Sequence, residues 1–212
     1  MNKHYLYEDI MTLLYSHNTP DDGYFKLYKT IFPFSYESIL KNIQNNVFDC
    51  NGYSMNSRHS GLFTSEHQEI GKPFCDEWIY VPKRYIYQEM PDILVKLMEI
   101  AQKSFPERKL REAIVNVYGE GDFIAYHKDY HKDNHTPVSI MCSFEYDPSC
   151  NHVLEFYRTL NEPQTTRKDR SSNGYSLYIP LVDHSIAIMV GMQTRYVHSL
   201  HPGNKRISIV FR

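Results

Sequence analysis

Tyr126-His127-Lys128-Asp129 sets an imidazole and a carboxylate two positions apart, so on an extended segment both side chains project to one face. They are two of the three ligands of a facial metal triad, which leaves three octahedral positions open for a bidentate co-substrate and oxygen. A third ligand is needed further along the chain. His198 is the better candidate, because it follows the apolar run SIAIMVG and stands eight positions before Arg206 (206 minus 198), on the approach to the last strand; His201 competes with it. Alone, the pair carries little weight, since short polar motifs recur by chance.

The carboxyl-terminal run Arg206-Ile-Ser-Ile-Val-Phe-Arg212 adds a second kind of chemistry. Its alternation places Arg206, Ser208, Val210 and Arg212 on one strand face. Guanidiniums turned into a fold are costly unless they meet carboxylates, and a dicarboxylate ligand answers that need. Arg206 is expected to clamp its distal carboxylate, with Arg212 approaching the end near the metal. Upstream, Asn116 and Tyr118 share one face of the strand before the Gly119–Gly121 turn, from which both can donate to the same ligand.

The elements that must position these groups follow from periodicity. After Pro106 the chain breaks into short apolar or alternating runs, AIVNVY, DFIAYH, VSIMCSF, HVLEFY, YSLYIPL, SIAIMVG, YVHSL and RISIVFR, separated by Gly, Pro, Asn and Asp. So many strands in about a hundred residues predict an antiparallel sandwich or barrel. Helical spacing is regular over Pro91–Ser104 and weaker over Tyr5–Tyr15 and Tyr36–Asn45. The polar stretch Thr159–Gly174 reads as an inserted loop.

Composition narrows the classes. The chain has 212 residues, 42% hydrophobic, enough for one sizeable core, so a single domain is expected. A formal charge of -2 gives no whole-molecule pull toward phosphates, so any nucleic-acid site must be a local patch. Four dispersed cysteines without a CxxC pair argue against a zinc ribbon or a disulfide framework and fit a reducing compartment. No run has the length a bilayer requires, so no membrane association is expected, and the protein reads as a soluble intracellular monomer of cytoplasm or nucleus.

The ordered set Asn116-x-Tyr118, His127-x-Asp129 eleven positions after the asparagine (127 minus 116), His198 and Arg206-x5-Arg212 closely resembles the AlkB family of iron(II) and 2-oxoglutarate dioxygenases. The likeness spans about Ala113 to Arg212. It implies a mixed α+β, mainly β chain with a double-stranded β-helix (jelly-roll) core flanked by amino-terminal helices. Residues 1–110 would give helical support and a substrate-recognition segment, and 111–212 the catalytic core. It implies Fe(II) held by His127, Asp129 and His198, with 2-oxoglutarate contacted by Asn116, Tyr118, Arg206, Ser208 and Arg212. It also implies O2 as oxidant, with decarboxylation of the co-substrate to succinate coupled to hydroxylation of a C–H bond. On an N-methyl group the resulting hemiaminal falls apart to formaldehyde.

Substrate expectations rest on weaker signals. Ser57-Arg58-His-Ser-Gly-Leu62-Phe63 resembles that family's nucleotide-recognition segment, which makes Arg58 and Phe63 candidate contacts to an extruded base of alkylated DNA or RNA. Two basic runs, Lys103 with Arg108, Lys109 and Arg111, and Arg167 with Lys168 and Arg170, are candidate phosphate tracks. In several nucleobase-repair members an acidic residue follows the aspartate ligand by one or two places. Here Tyr130 and His131 stand there, as candidate substrate contacts of different polarity, with Asp133 two places further. Ser208 replaces an asparagine of some members.

Overall fold

A computed structural model describes residues 11–19, 23–49, 58–73, 86–129, 138–147, 149, 152–159, 174–192 and 196–212. Along the chain these form β1 (Thr12–Thr19), β2 (Gly23–Lys29), α1 (Tyr36–Ile43), β3 (Phe48–Asp49), β4 (His59–Thr64), β5 (Tyr87–Glu89) and α2 (Asp92–Ser104). The strand-rich half follows with β6 (Glu112–Tyr118), β7 (Ile124–His127), β8 (Val138–Glu145), β9 (Val153–Thr159), β10 (Gly174–Pro180), β11 (Ser185–Val190), β12 (Val197–Leu200) and β13 (Arg206–Phe211). All eight runs after Pro106 are strands.

Two sheets face each other, the larger in the order β1-β2-β11-β8-β13-β6-β4-β3 with β5 added beside β4, the smaller in the order β10-β9-β12-β7. Apart from the parallel β4–β5 pair, the strand pairings are antiparallel. This is the expected mainly β jelly-roll. The two helices cover the outer face of the larger sheet. Ile93, Leu94, Leu97, Ile100 and Ala101 of α2 form one buried stripe, and Pro91 with Asp92 suits its first turn. In α1, Ser35 and Ser38 close a reciprocal capping box, and Tyr36, Ile39 and Ile43 are buried.

Alternation along the larger sheet separates two cores. Ile207, Ile209 and Phe211 of β13, with Ile140, Cys142 and Phe144 of β8, pack under the helices. Met141, Ala187, Met189, Phe25 and Leu27 face the smaller sheet and meet Leu154, Phe156 and Leu200 there. Because β8 lies inside the sheet and is covered on both sides, all eight of its residues are buried.

The amino-terminal half departs from expectation in one place. Thr12–Tyr15, read as the end of a helix, lie in β1, which pairs with β2, and Met11 precedes that strand; residues 5–10 lie outside the described residues. Propensity yields here to an available sheet edge, and Thr12 and Tyr15 suit a strand. Further, β2 docks on β11 and β4 on β6, so this half supplies strands to both flanks of the larger sheet as well as helices. Among the described residues no helix is long and apolar enough to cross a membrane.

Candidate metal centre

His198 of β12 and His127 of β7 are direct cross-strand partners in the smaller sheet, which brings their rings to a centroid separation of 4.2 Å. Asp129 follows β7 by two residues, and its Oδ1 lies 3.5 Å from Nε2 of each histidine. One ligand atom from each of the three lies within 4.8 Å of the others. Adjacent donors around an octahedral ion with bonds of about 2.1 Å stand about 3.0 Å apart, so each histidine–aspartate distance is within about half an ångström of what a first-row divalent metal asks.

The protonation states suit a cation. Nδ1 of His127 donates to the Ala125 carbonyl at 2.9 Å, which turns the lone pair of Nε2 toward Asp129. Burial holds the His127 imidazole below its ordinary value, and His198 adds to the effect. Burial alone would push the Asp129 carboxyl up, but His198 and His127 outweigh it and hold the group well below the usual carboxylate range. Near neutral pH His127 is therefore neutral and Asp129 anionic, the forms that coordinate metal. Two nitrogens and one carboxylate oxygen with open positions are the donor set of non-haem iron sites.

Strand register builds a polar cradle on the inner face of the larger sheet. Arg206 pairs with Glu145 on one side and Tyr118 on the other, and Arg58, one residue before β4, continues this row beside Tyr118. The next inward row is Ser185, Ser143, Ser208, Asn116 and Ser60, all buried. Arg206, 1% exposed, sets Nε 3.2 Å from Oε1 of Glu145, donates Nη2 to Ser143 Oγ at 2.8 Å and holds its guanidinium 5.6 Å over the Tyr118 ring. Ser60 Oγ and Arg58 Nε donate to Asn116 Oδ1 at 3.0 and 2.8 Å. Burial pushes the Tyr118 phenol up, with Arg58 and Arg206 partly offsetting it, so the hydroxyl stays protonated. Guanidiniums, a phenol and a row of small polar side chains suit the carboxylates of a small diacid.

Asn116, Tyr118, Arg206 and Ser208 are thus brought together as expected. Arg212 is not among them. Six residues along β13 carry it roughly 20 Å from Arg206, and its Nη2 pairs with Glu112 Oε1 at 2.7 Å, a carboxylate that also accepts from the Tyr87 hydroxyl. Phe63 corrects the base-stacking expectation: it is 0% exposed in the core beneath the helices, on the β4 face opposite Leu62 and the cradle. Arg58 is brought to Asn116. His201 lies outside the metal group and donates to Glu155 Oε2 at 2.7 Å, so it is His198, not His201, that the structure brings to His127 and Asp129. Of the basic runs, Lys109 and Arg111 are exposed and approach Glu66 at 3.5 and 3.8 Å. Tyr130, His131, Asp133, Arg167, Lys168 and Arg170 lie outside the described residues.

Sequence reasoning missed two buried carboxylates. Glu145 ends the alternation Ser139, Met141, Ser143, Glu145, whose polar members on one side of VSIMCSFE were the available signal. It also meets Nδ1 of the buried His152 at 3.1 Å. Glu155, 0% exposed, accepts from Tyr126 Oη at 2.5 Å, Ser176 Oγ at 2.6 Å and His201, and so ties three strands of the smaller sheet on its outer face.

No protein-family model matches the chain, and no curated protein matches it. Its structure is similar to a prolyl-4-hydroxylase from Pseudomonas putida (10% identity, TM-score 0.51, covering 90% of this chain and 91% of that one). It is likewise similar to OsALKBH1 (12% identity, TM-score 0.52, 95% and 99%). A third similar structure is an oxidoreductase of the 2OG-Fe(II) oxygenase family from Burkholderia pseudomallei (10% identity, TM-score 0.50, 88% and 83%). At such identities the likeness is one of fold: the chain shares the jelly-roll of these proteins, and with it the two-sheet frame from which His127, Asp129 and His198 converge.

Proposed function

We propose that this chain is an Fe(II)- and 2-oxoglutarate-dependent oxygenase of the AlkB-like kind, acting as a single domain that oxidatively demethylates N-alkylated bases of DNA or RNA. The observation that carries the chemistry is the convergence of His127, Asp129 and His198 beside a buried row of guanidinium, phenol and hydroxyl groups. Bound iron, with 2-oxoglutarate and O2, supplies the oxidising power for hydroxylation of a C–H bond coupled to release of succinate and carbon dioxide.

The chain's own contribution is binding and orientation. His127 and His198 offer imidazole nitrogens as ligands and Asp129 one negative charge, so a divalent ion held there would keep one net positive charge for the keto-acid end of the co-substrate. Tyr118 donates from a protonated phenol, Asn116 and Ser208 stand beside it, and Arg206 presents cationic charge in the same row. Fixing the diacid along this line would fix its keto group relative to the metal.

The nucleobase reading rests on the ordered motif set shared with the AlkB family and on the exposed Lys109 and Arg111. A protein substrate is the second reading, favoured by the burial of Phe63 in the core beneath the helices and by the likeness to a prolyl-4-hydroxylase. One assay separates them. Purified protein with Fe(II), ascorbate and 2-oxoglutarate is offered methylated DNA, methylated RNA and a peptide panel, and succinate and formaldehyde are read together. Formaldehyde matching succinate on an oligonucleotide supports demethylation. Succinate coupled to peptide oxidation alone overturns the nucleobase assignment, and absence of any 2-oxoglutarate turnover overturns the oxygenase.

A further inference from the structure

Resting on that metal-centre reading, we infer that Glu155 is a positioning residue of the site, which sets the separation of His127 and His198 from the far face of the smaller sheet and thereby the affinity for the metal. Along β9, Leu154 and Phe156 point into the core, which turns Glu155 to the outer face, yet its side chain is fully enclosed there. Tyr126, the neighbour of His127, and His201, three places beyond His198, meet it on that face. Tyr126 Oη and His201 Nε2 donate to the same oxygen, Oε2 of Glu155, at 2.5 and 2.7 Å.

The topology makes this oxygen a tie between the two ligand strands. The smaller sheet runs β10-β9-β12-β7, so the Tyr126 contact passes over β12 and joins β7 to β9. The β7–β12 ladder is irregular between His198 and Leu200, and Ser199, the residue skipped there, is the one that Glu155 faces across the β9–β12 pairing. The carboxylate therefore stands where the backbone ladder constrains the two histidines least. The third donor has a different place: Ser176 Oγ bonds the other oxygen, Oε1, at 2.6 Å and comes from β10, a strand that carries none of the three metal ligands. Oε1 thus anchors the carboxylate, while Oε2 holds β7 and β12. Hydrogen bonds to a charged acceptor are short and strong, so each fixes the strand that supplies it. Loss of the Tyr126 hydroxyl frees β7 and leaves every ligand atom of the metal group present.

The test compares donors to one carboxylate. Wild type, Tyr126→Phe, His201→Ala and Ser176→Ala are titrated with Co(II) alone, reading the visible absorption of the bound ion, and the metal-free proteins are melted. Each variant takes one hydrogen bond from Glu155, so all three should lose thermal stability. Tyr126→Phe is expected to weaken Co(II) by about tenfold or more, as for outer partners of metal ligands, and to alter the absorption bands of the ion. Ser176→Ala should hold Co(II) within about twofold, with the wild-type bands, because its strand orients no ligand. His201→Ala, which truncates the half-exposed donor, should weaken Co(II) as Tyr126→Phe does while still filling at saturating metal, and it carries the comparison by itself where Tyr126→Phe does not fold. Unchanged affinity in either ligand-strand variant overturns the inference. Equal weakening by Ser176→Ala also overturns it, since Glu155 then serves packing alone. If the wild type takes up no Co(II), the metal-centre reading itself falls and this inference with it.

Discussion

Removing Arg206 should damage the fold before it damages co-substrate binding. Two opposite unit charges 3.2 Å apart at an effective dielectric of about 20 attract by about 5 kcal/mol, a gain that desolvation of both groups largely offsets. Arg206→Met keeps the desolvation of Glu145 and loses the attraction, so it should cost about 3–5 kcal/mol. His152, at 3.1 Å from the other carboxylate oxygen, gives Glu145 a remaining partner and argues for the lower part of that range. At about 2–4 °C per kcal/mol for a chain of this size, the melting temperature should fall by roughly 6–15 °C. Glu145→Leu should cost a similar amount by leaving the guanidinium buried alone. The double variant should recover most of the loss, because a buried ion pair replaced whole by apolar side chains is often neutral. Urea unfolding of the four proteins gives the coupling free energy, expected at about 2–4 kcal/mol. Additive single effects, or an Arg206→Met cost below about 1 kcal/mol, would show that the pair is solvated and that the cradle is not the enclosed site described.

Asp129→Ala should abolish divalent-metal uptake by equilibrium dialysis while moving the melting temperature by no more than a few degrees, since the side chain is partly exposed; undiminished metal content would sink the ligand assignment. His198→Ala should lose the metal, whereas His201→Ala should retain it and cost about 1–3 kcal/mol by depriving the buried Glu155 of a donor; the reverse pattern would exchange the two roles. Burial pushes the Cys142 thiol well above its ordinary value, so its peptide should resist iodoacetamide at pH 8.5 in native protein and react in urea, and mapped native labelling would contradict its place in the core. Gly203→Ala would set a Cβ 2.6 Å from the enclosed His152 ring and should destabilise by about 1–3 kcal/mol, a loss that pairing with His152→Ala should relieve.

How much of this was legible depended on whether function rides on period two. The strands after Pro106 and the shared face of Arg206 and Ser208 follow from alternation alone, and α2 follows from its apolar stripe. Alternation does not say which partner a long side chain meets. Arg212 was placed on the correct face, yet Glu112, which lies on β6 one strand away, takes its guanidinium, and nothing local in either segment signals that cross-strand pair. Phe63 failed for the complementary reason. A motif likeness fixes residue type and order, but one residue's difference in register sends a side chain to the opposite face of its strand, and β4 carries Phe63 under the helices. The amino-terminal strands escaped notice because edge strands such as β1, with Leu13 and Leu14 both exposed, need no clean alternation.

The two ligand strands pose a problem that the outer face of the smaller sheet answers. Both β7 and β12 are four residues long, and their pairing is irregular between His198 and Leu200, so little backbone ladder fixes the histidine separation. Glu155 supplies what the ladder lacks: it accepts from Tyr126, the neighbour of His127, and from His201, three places beyond His198. One enclosed carboxylate thereby grips both ligand strands from behind while the metal would grip them from the front. Removing only one of its donors would leave the charge buried and under-satisfied, so the three hydroxyl and imidazole partners hold as a set. Glu155 thereby helps to hold the two rings at their 4.2 Å approach from the side away from the metal group. The sequence distance between Tyr126, Glu155 and His201 hides this arrangement completely; only the register of β7, β12 and β9 makes them neighbours.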